Sequence, residues 1–450
     1  MSERKTIYLC LAHMSEEGWE QKYVKEAFDT NWVVPMGPNV NEFEKDLADF
    51  ANSKTDGSEP LDRKVVCLSA GTAAVHLALI ACGVKAGDEV LVQSYTFCAS
   101  SHPITYLGAK PVFVGSEGET WNMDPQLLEV AIKDRIAKTG KTPKAIVPVA
   151  LYGMPYRIDE IMEIADRYGI PVVEDAAEGM GSRFDGKVLG TFGKYGVLSF
   201  NGNKMITTSG GGALICRSAE DANEIMWYAT QARDAYPYYQ HTAIGYNYRM
   251  SNVCAGIGRG QMTVLDAHIA HHQHVQRMYE ELLADVPGVH VHSQPVSSFK
   301  IQDSSSNGAA TPETCNLKPE TRVYDSNFWL CAATLDPSVR IVGQENAYKE
   351  VIKMAVGGAA GVIHQVDKAT TDCQPNENVE ALRVFMLGKK IEARPTWKPM
   401  HKQPVYAGAA VYTNGVEEEL FKVGFCLPAG PYVSDEDVRY IVDCIKEAII

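Results

Sequence analysis

Residues 64–82 read KVVCLSAGTAAVHLALIAC: an apolar strand over Lys64–Leu68, a turn of small residues at 69–72, and an apolar helix from Thr72 to Cys82. Strand, turn and helix recur outward from this unit. Glu89–Gln93 (EVLVQ) and Pro111–Val114 (PVFV) read as strands. Asp124 before Pro125 reads as an N-cap with proline in the first turn, opening a helix through Ile136. Ala145–Leu151 is a nearly all-apolar strand, and Ile158, Ile161, Met162, Ala165 and Tyr168 fall at helical spacing until Gly169. Pro171–Glu174 is again strand, ending at Asp175. Such alternation predicts an α/β fold with a mostly parallel sheet wrapped by helices, and ligands then sit beyond the carboxyl ends of the strands.

The pattern changes after about residue 260. A long helix is predicted from Met262 to Leu283, then a polar loop or insertion over 297–320, rich in Ser, Thr, Asn and Pro. A strand at Asn327–Thr334, a helix at Asn346–Val356 and a closing helix from Ser434 follow. The expected organisation is a large α/β domain over 1–265 and a smaller α+β domain over 266–450.

Composition narrows the function. The 450 residues carry 42 Lys+Arg against 56 Asp+Glu, a net charge of −14, which argues against nucleic acid or an anionic membrane as partner. No apolar run reaches the length of a membrane span, and the N-terminus lacks a signal-peptide cleavage pattern. The 11 cysteines are scattered and never spaced C-x-x-C, as in a cytoplasmic protein with reduced thiols.

Several motifs resemble binding sites only in part. GSRFDGKV (181–188) has the G-x4-G-K spacing, but Val188 replaces the Mg²⁺-binding hydroxyl and no helix follows, so a turn between strands is preferred. GIGRG (256–260) lacks a preceding strand and reads as close helix packing; GGAAG (357–361) reads as a helix end and loop. His268, His271, His272 and His274 crowd one helix, with His268 and His272 at i,i+4. Without a third ligand at a suggestive spacing, a solvated face is favoured over zinc, and no metal site is expected.

The segment Gly196–Cys216, GVLSFNGNKMITTSGGGALIC, holds one lysine, Lys204, between two apolar strands. That setting suits a neutral amine nucleophile and Schiff-base chemistry, although a solvated hairpin lysine has the same local pattern. Asp175 ends a strand where it could pair with a protonated pyridine ring, or simply cap the next helix. The turn SAGTAAVH (69–76) could hold a phosphate on its amides. Amine, ring partner and phosphate turn together are far more specific than any one of them.

In order along the chain stand GPNVNEFE (37–44), SAGTAAVHLAL (69–79), YTFCAS (95–100), EDAAEGMGS (174–182), SFNGNKMITTSGGG (199–212), GYNYRMSN (245–252), ARPTWKPMHKQPVY (393–406) and FCLPAG (425–430). Together they resemble the DegT/DnrJ/StrS sugar aminotransferases, closely over 31–261 and again near the C-terminus. NGNK before the lysine, EDAAE, TQARD (230–234) and RPTWKPMH resemble in particular the C4 aminotransferases of UDP-4-keto-6-deoxy-N-acetylhexosamines, the bacillosamine type.

The resemblance implies the type I, aspartate-aminotransferase-like fold, pyridoxal 5′-phosphate as cofactor, L-glutamate as donor, a UDP-linked keto sugar as acceptor, and a homodimer with shared active sites. It implies Lys204 as the lysine that joins the cofactor and later carries the proton, Asp175 on the pyridine nitrogen, and Phe97 stacked on the ring. Gly71, Thr72, Ala73 and Ser199 would bind the phosphate, with Asn247 contributed across the dimer, and Glu178 would lie near the cofactor hydroxyl or the sugar. Gly37, Arg249, Arg394, Trp397 and His401 are the substrate candidates, with packing or surface roles as the alternative. Related dehydratases carry histidine at the lysine position, so Lys204 argues against that chemistry; a non-catalytic regulatory protein on this fold is the other rival. Whether the new amine is axial or equatorial is left open. Ser209 followed by three glycines departs from the Gly-Glu-Gly-Gly common after the lysine in relatives.

Overall fold

The computed structural model describes residues 4–55, 57, 59–296, 298–299, 321–348 and 373–450. Nearly all of the loop expected over 297–320, the GGAAG run and most of the helix expected over 346–356 lie outside the described residues. Strands β1 (Lys64–Leu68), β2 (Glu89–Gln93), β3 (Lys110–Val114), β4 (Ile146–Val147), β5 (Val173–Asp175), β6 (Tyr195–Ser199), β7 (Gly212–Cys216) and β8 (Ala410–Tyr412) build the main sheet. Its order is β8-β3-β2-β4 and β5-β6-β7-β1, the two halves joined by parallel bridges Ile146–Val172 and Val149–Asp175. All pairings are parallel except those of β7, which runs against both β6 and β1. Between β6 and β7 there is only the loop 200–211 and no helix, so the chain cannot make the long crossover a parallel return needs. The Lys204 loop is thereby a hairpin-like excursion from the sheet edge. β8, from the C-terminal third, extends the sheet beside β3, a pairing with no local sequence signal.

The strands are buried almost end to end, as expected of a sheet covered on both faces. The helix after Asp124 forms, with the Asp124 carboxylate accepting from the Gln126 N–H at 2.7 Å, and runs on to Thr139 because Gly140 supplies the left-handed residue that ends it. GSRFDGKV is a hairpin of Arg183–Phe184 against Lys187–Val188, turning through Asp185 and Gly186 at positive φ, so no phosphate cradle exists there.

Helices α1 (Trp19–Asp29), α2 (Pro38–Asn52), α3 (Gly71–Ala81), α4 (Asn252–Met262) and α5 (Leu265–Leu283) matter most for the site. The helix predicted from Met262 begins instead at Leu265. Thr263 and Val264 break the path, with Thr263 Oγ1 donating to the Gly260 carbonyl at 2.7 Å. GIGRG is the packing seam anticipated: a Cβ at Gly258 would stand 2.5 Å from Phe43 Cζ, and one at Gly260 would stand 2.5 Å from the Glu20 nitrogen.

A second, antiparallel sheet joins Val289–Val291, Cys331–Leu335, Gly424–Leu427 and Arg394–Pro395. α5 and the closing helix Asp435–Ala448 cover it with Val275, Tyr279, Ile441 and Ile445. Ser434 and Asp437 cap that last helix reciprocally. The strand expected at 327–334 is confined to Cys331–Leu335, which frees residues 326–329 for the site.

The solvated histidine face is corrected. His268 and His272 are buried on α5, His271 is half-buried, and only His274 is exposed, 2.9 Å from Asp435. Among the described residues no cluster of three potential ligands could hold a metal, and no helix is long and apolar enough to cross a membrane.

Candidate active site

The carboxyl edge of the main sheet opens into a cleft of about 230 Å³. β5 delivers Asp175 to it, β6 delivers Ser199, and the loop beyond β6 delivers Lys204, while α3 begins at its wall with Gly71 and Thr72. This is where a parallel sheet places its ligands. No side chain caps α3, so the leading amides of that helix are left for an anion. A Cβ at Gly71 would stand 3.1 Å from Ser199 Cβ, a tight approach that glycine leaves open.

Asp175 is buried. Its carboxylate accepts from Ser100 Oγ at 2.6 Å and from the Ala177 N–H at 3.1 Å. Burial pushes its pKa above the ordinary carboxylate value, opposed by those hydrogen bonds and by Lys204. Glu178 is equally buried and accepts from the Tyr152 N–H at 2.8 Å. Burial pushes its pKa up as well, with the Lys204 charge the strongest opposing influence. Lys204 Nζ lies 3.3 Å from Glu178 Oε1 and 4.0 Å from the centroid of the Trp329 ring. The amine is thus held between a carboxylate and an aromatic face, with 13% of its side chain exposed. Tyr152 adopts φ of 54°, uncommon for a bulky residue. Its two hydrogen bonds hold it there: the N–H to Glu178, and the hydroxyl accepting from the Trp397 N–H at 2.8 Å.

Lys204, Asp175, Glu178, Gly71, Thr72, Phe97, Ser199 and Trp397 therefore converge on one cleft. Phe97 stands at its mouth, its ring 5.2 Å from that of Trp397. Ala73 is buried one residue behind the cleft wall. Arg394 lines an adjoining chamber and its Nε donates to Glu392 at 2.9 Å. The other expected residues are not brought to the cleft. Gly37 caps α2 at φ of 135°, closed in by the Asn252 side chain. Arg249 is paired with Glu44 and donates to the Cys67 carbonyl at 2.9 Å, so its charge is engaged within the subunit. His401 is held between Ser94 Oγ at 2.6 Å and Glu418 at 3.1 Å. Asn247 is exposed, bridged to Thr230.

Three contributors escaped the sequence reading: Ser100 on Asp175, Tyr152 under Glu178, and Trp329 against Lys204. Ser100 lies inside YTFCAS, which draws attention to Phe97 instead. Trp329 reads as the start of a strand, and nothing local joins it to residue 204.

The sequence profile of the DegT/DnrJ/EryC1/StrS aminotransferase family matches residues 14–310 and 345–446. The chain belongs to this family. EpsN of Bacillus subtilis (strain 168), assigned as a pyridoxal phosphate-dependent aminotransferase, is 38% identical over 445 residues, 98% of this chain and 95% of its own length. GDP-perosamine synthase of Escherichia coli O157:H7 is 30% identical over 440 residues, 98% of each chain. Spr1654 of Streptococcus pneumoniae, assigned as a sugar aminotransferase and solved in a pyridoxal phosphate form, matches in fold with a TM-score of 0.74 at 21% identity, over 98% of each chain.

DegT-family aminotransferases are pyridoxal phosphate-dependent, and this one is a sugar aminotransferase. The residues present fit that cofactor. A buried carboxylate, an uncapped helix start close to Ser199, and an amine lining the same cleft match ring nitrogen, phosphate and aldehyde respectively.

Proposed function

We propose that this aminotransferase moves the amino group of L-glutamate to C4 of a UDP-linked 4-keto-6-deoxy-N-acetylhexosamine. The product would be a UDP-2-acetamido-4-amino-2,4,6-trideoxyhexose for a surface polysaccharide or glycan. It works in the cytoplasm, in keeping with the free thiols of every cysteine among the described residues. It acts as a homodimer, which gives the exposed Asn247 a place in the neighbouring site.

Bound pyridoxal phosphate supplies the electron sink that makes the carbon bearing the amine acidic. The Lys204 amine holds the cofactor between turnovers and moves the proton from the donor carbon, later returning one to the sugar carbon. Asp175, walled off from water, sets its negative charge against the ring nitrogen, while Ser100 and the Ala177 N–H fix its orientation. Gly71, Thr72, Ala73 and Ser199 hold the phosphate at the start of α3, joined by Asn247 of the partner subunit. Phe97 stacks on the ring, and Glu178 steadies the lysine beside the ring hydroxyl. Arg394 and Trp397 keep a role toward substrate; Gly37, Arg249 and His401 serve packing in this reading.

One observation carries the choice of an acylamino sugar. Past Asn203, Trp329 and Trp397 the cleft adjoins a second chamber of about 280 Å³, walled by Leu11, Cys10, Leu330 and Cys426. Glu392 and Arg394 also line it, but its wall is largely apolar, and such a chamber next to the reacting centre suits the methyl of an acetamido group better than a bare 2-hydroxyl. The test compares 4-keto-6-deoxy sugar nucleotides with and without the 2-acetamido group. The acetamido substrate is expected to win by about tenfold or more in kcat/KM. Leu11→Trp, which narrows the chamber from its exposed side, should erase that preference. Equal use of both acceptors by the parent enzyme would overturn the reading.

A further inference from the structure

The buried histidines of α5 have no part in the chemistry above, yet each grips the backbone beside a residue that touches the reacting amine. The His268 Nδ1–H donates to the carbonyl of Met205, next to Lys204, at 3.2 Å. One turn on, the His272 Nδ1–H donates to the carbonyl of Phe328, next to Trp329, also at 3.2 Å. Because a carbonyl can only accept, both rings carry their proton on Nδ1. Nε2 of His272 is buried without a hydrogen-bond partner, so a second proton there would have no acceptor. Burial accordingly lowers the pKa of His268, and that of His272 to about 3.

The segment gripped by His272 is strained. Phe328 has φ of 47°, in the left-handed region that a bulky side chain rarely enters. Its neighbours are tied down as well. Asn327 Nδ2 donates to the carbonyls of Glu178 at 2.9 Å and Met180 at 2.8 Å, its Oδ1 accepts from the Trp329 N–H at 2.8 Å, and Gln273 Nε2 donates to the Ser326 carbonyl at 3.0 Å. Trp329 Nε1 closes the circuit by donating to the Asn203 carbonyl at 2.6 Å. The Phe328 carbonyl, held from α5, therefore helps set where the Trp329 ring meets Lys204 Nζ.

We propose that His268 and His272 are positioning residues for the reacting amine, fixing from α5 the two backbone segments that hold Lys204 against Trp329. The proposal rests on Lys204 as the reacting group. Asparagine places an amide N–H close to where histidine places Nδ1–H, whereas leucine keeps bulk and offers no donor.

The test compares His272→Leu with His272→Asn, and His268→Leu with His268→Asn in case the first leucine variant does not fold. In cofactor-free protein well below its unfolding temperature, an amine-reactive ester labels lysines, and labelling at residue 204 is read by peptide mass spectrometry. The leucine variants should label Lys204 several-fold faster than the parent, and the asparagine variants close to the parent rate. In the holoenzyme with L-glutamate, the leucine variants should lose about tenfold in kcat at nearly unchanged KM, and asparagine should recover most of it. Identical behaviour of leucine and asparagine, or unchanged Lys204 labelling in folded leucine variants, would overturn the proposal. Because labelling needs neither cofactor nor substrate, it reports on the positioning even where the assigned reaction fails.

Discussion

Lys204→Ala is expected to abolish transamination, with turnover falling by at least about 10⁴-fold, while the protein stays folded. In the proposed mechanism the substitution would remove both the attachment point of the cofactor and the group that carries the proton, and no second lysine lines the cleft among the described residues. The consequence for stability has a definite sign. Glu178 is buried with a raised pKa, and the lysine charge is the main influence holding it down. An acid whose folded pKa lies above its unfolded value has no ionisation penalty below the unfolded pKa. The penalty grows as pH rises through the folded value. Without Lys204 that penalty deepens and extends to higher pH, so the variant should gain stability relative to the parent as pH falls from neutrality toward the carboxylate range. Thermal unfolding of both cofactor-free proteins across that range checks the sign, and a fixed difference at all pH values would contradict it.

Asp175→Asn should leave the fold and the Ser100 contact in place while removing the charge. The expected loss in kcat is about 10²–10³-fold, the size of effect seen when an oriented electrostatic partner is taken from a reacting centre. The same change should stabilise the cofactor-free protein at neutral pH, because burial raises the pKa of this carboxyl and its ionised form is held at a cost. An inactive variant that melts higher than its parent when both lack cofactor would be the signature of a residue kept for function. A variant that melts lower in that comparison would mean that Asp175 is needed by the fold.

Much of the site was legible because its main groups sit at strand and helix ends. Asp175 closes an apolar strand, Lys204 lies between two, and the small residues at 69–72 open a helix; each leaves a local pattern, and the parallel sheet brings those ends to one edge. What was not legible depends on distant pairing. Trp329 and Asn203, 126 positions apart, share a hydrogen bond that no local pattern predicts. The histidines of α5 read as solvated because i,i+4 spacing says which residues share a face, not what lies against it; here carbonyls of Met205 and Phe328 do. Arg249 and His401 stand apart from the cleft. Motif position suggested substrate, but Glu44 and Glu418 already engage them. The strand Ala410–Tyr412 is short and bracketed by turns, and only the edge of Lys110–Val114 makes it a strand.

Transamination through Lys204 is tested by the visible absorbance of purified protein with pyridoxal phosphate, read before and after adding L-glutamate. The expected result is a yellow protein that bleaches with glutamate, and a Lys204→Ala protein that gives neither the parent band nor the bleaching. A parent protein that pyridoxal phosphate cannot turn yellow, or whose colour L-glutamate leaves untouched, would contradict it.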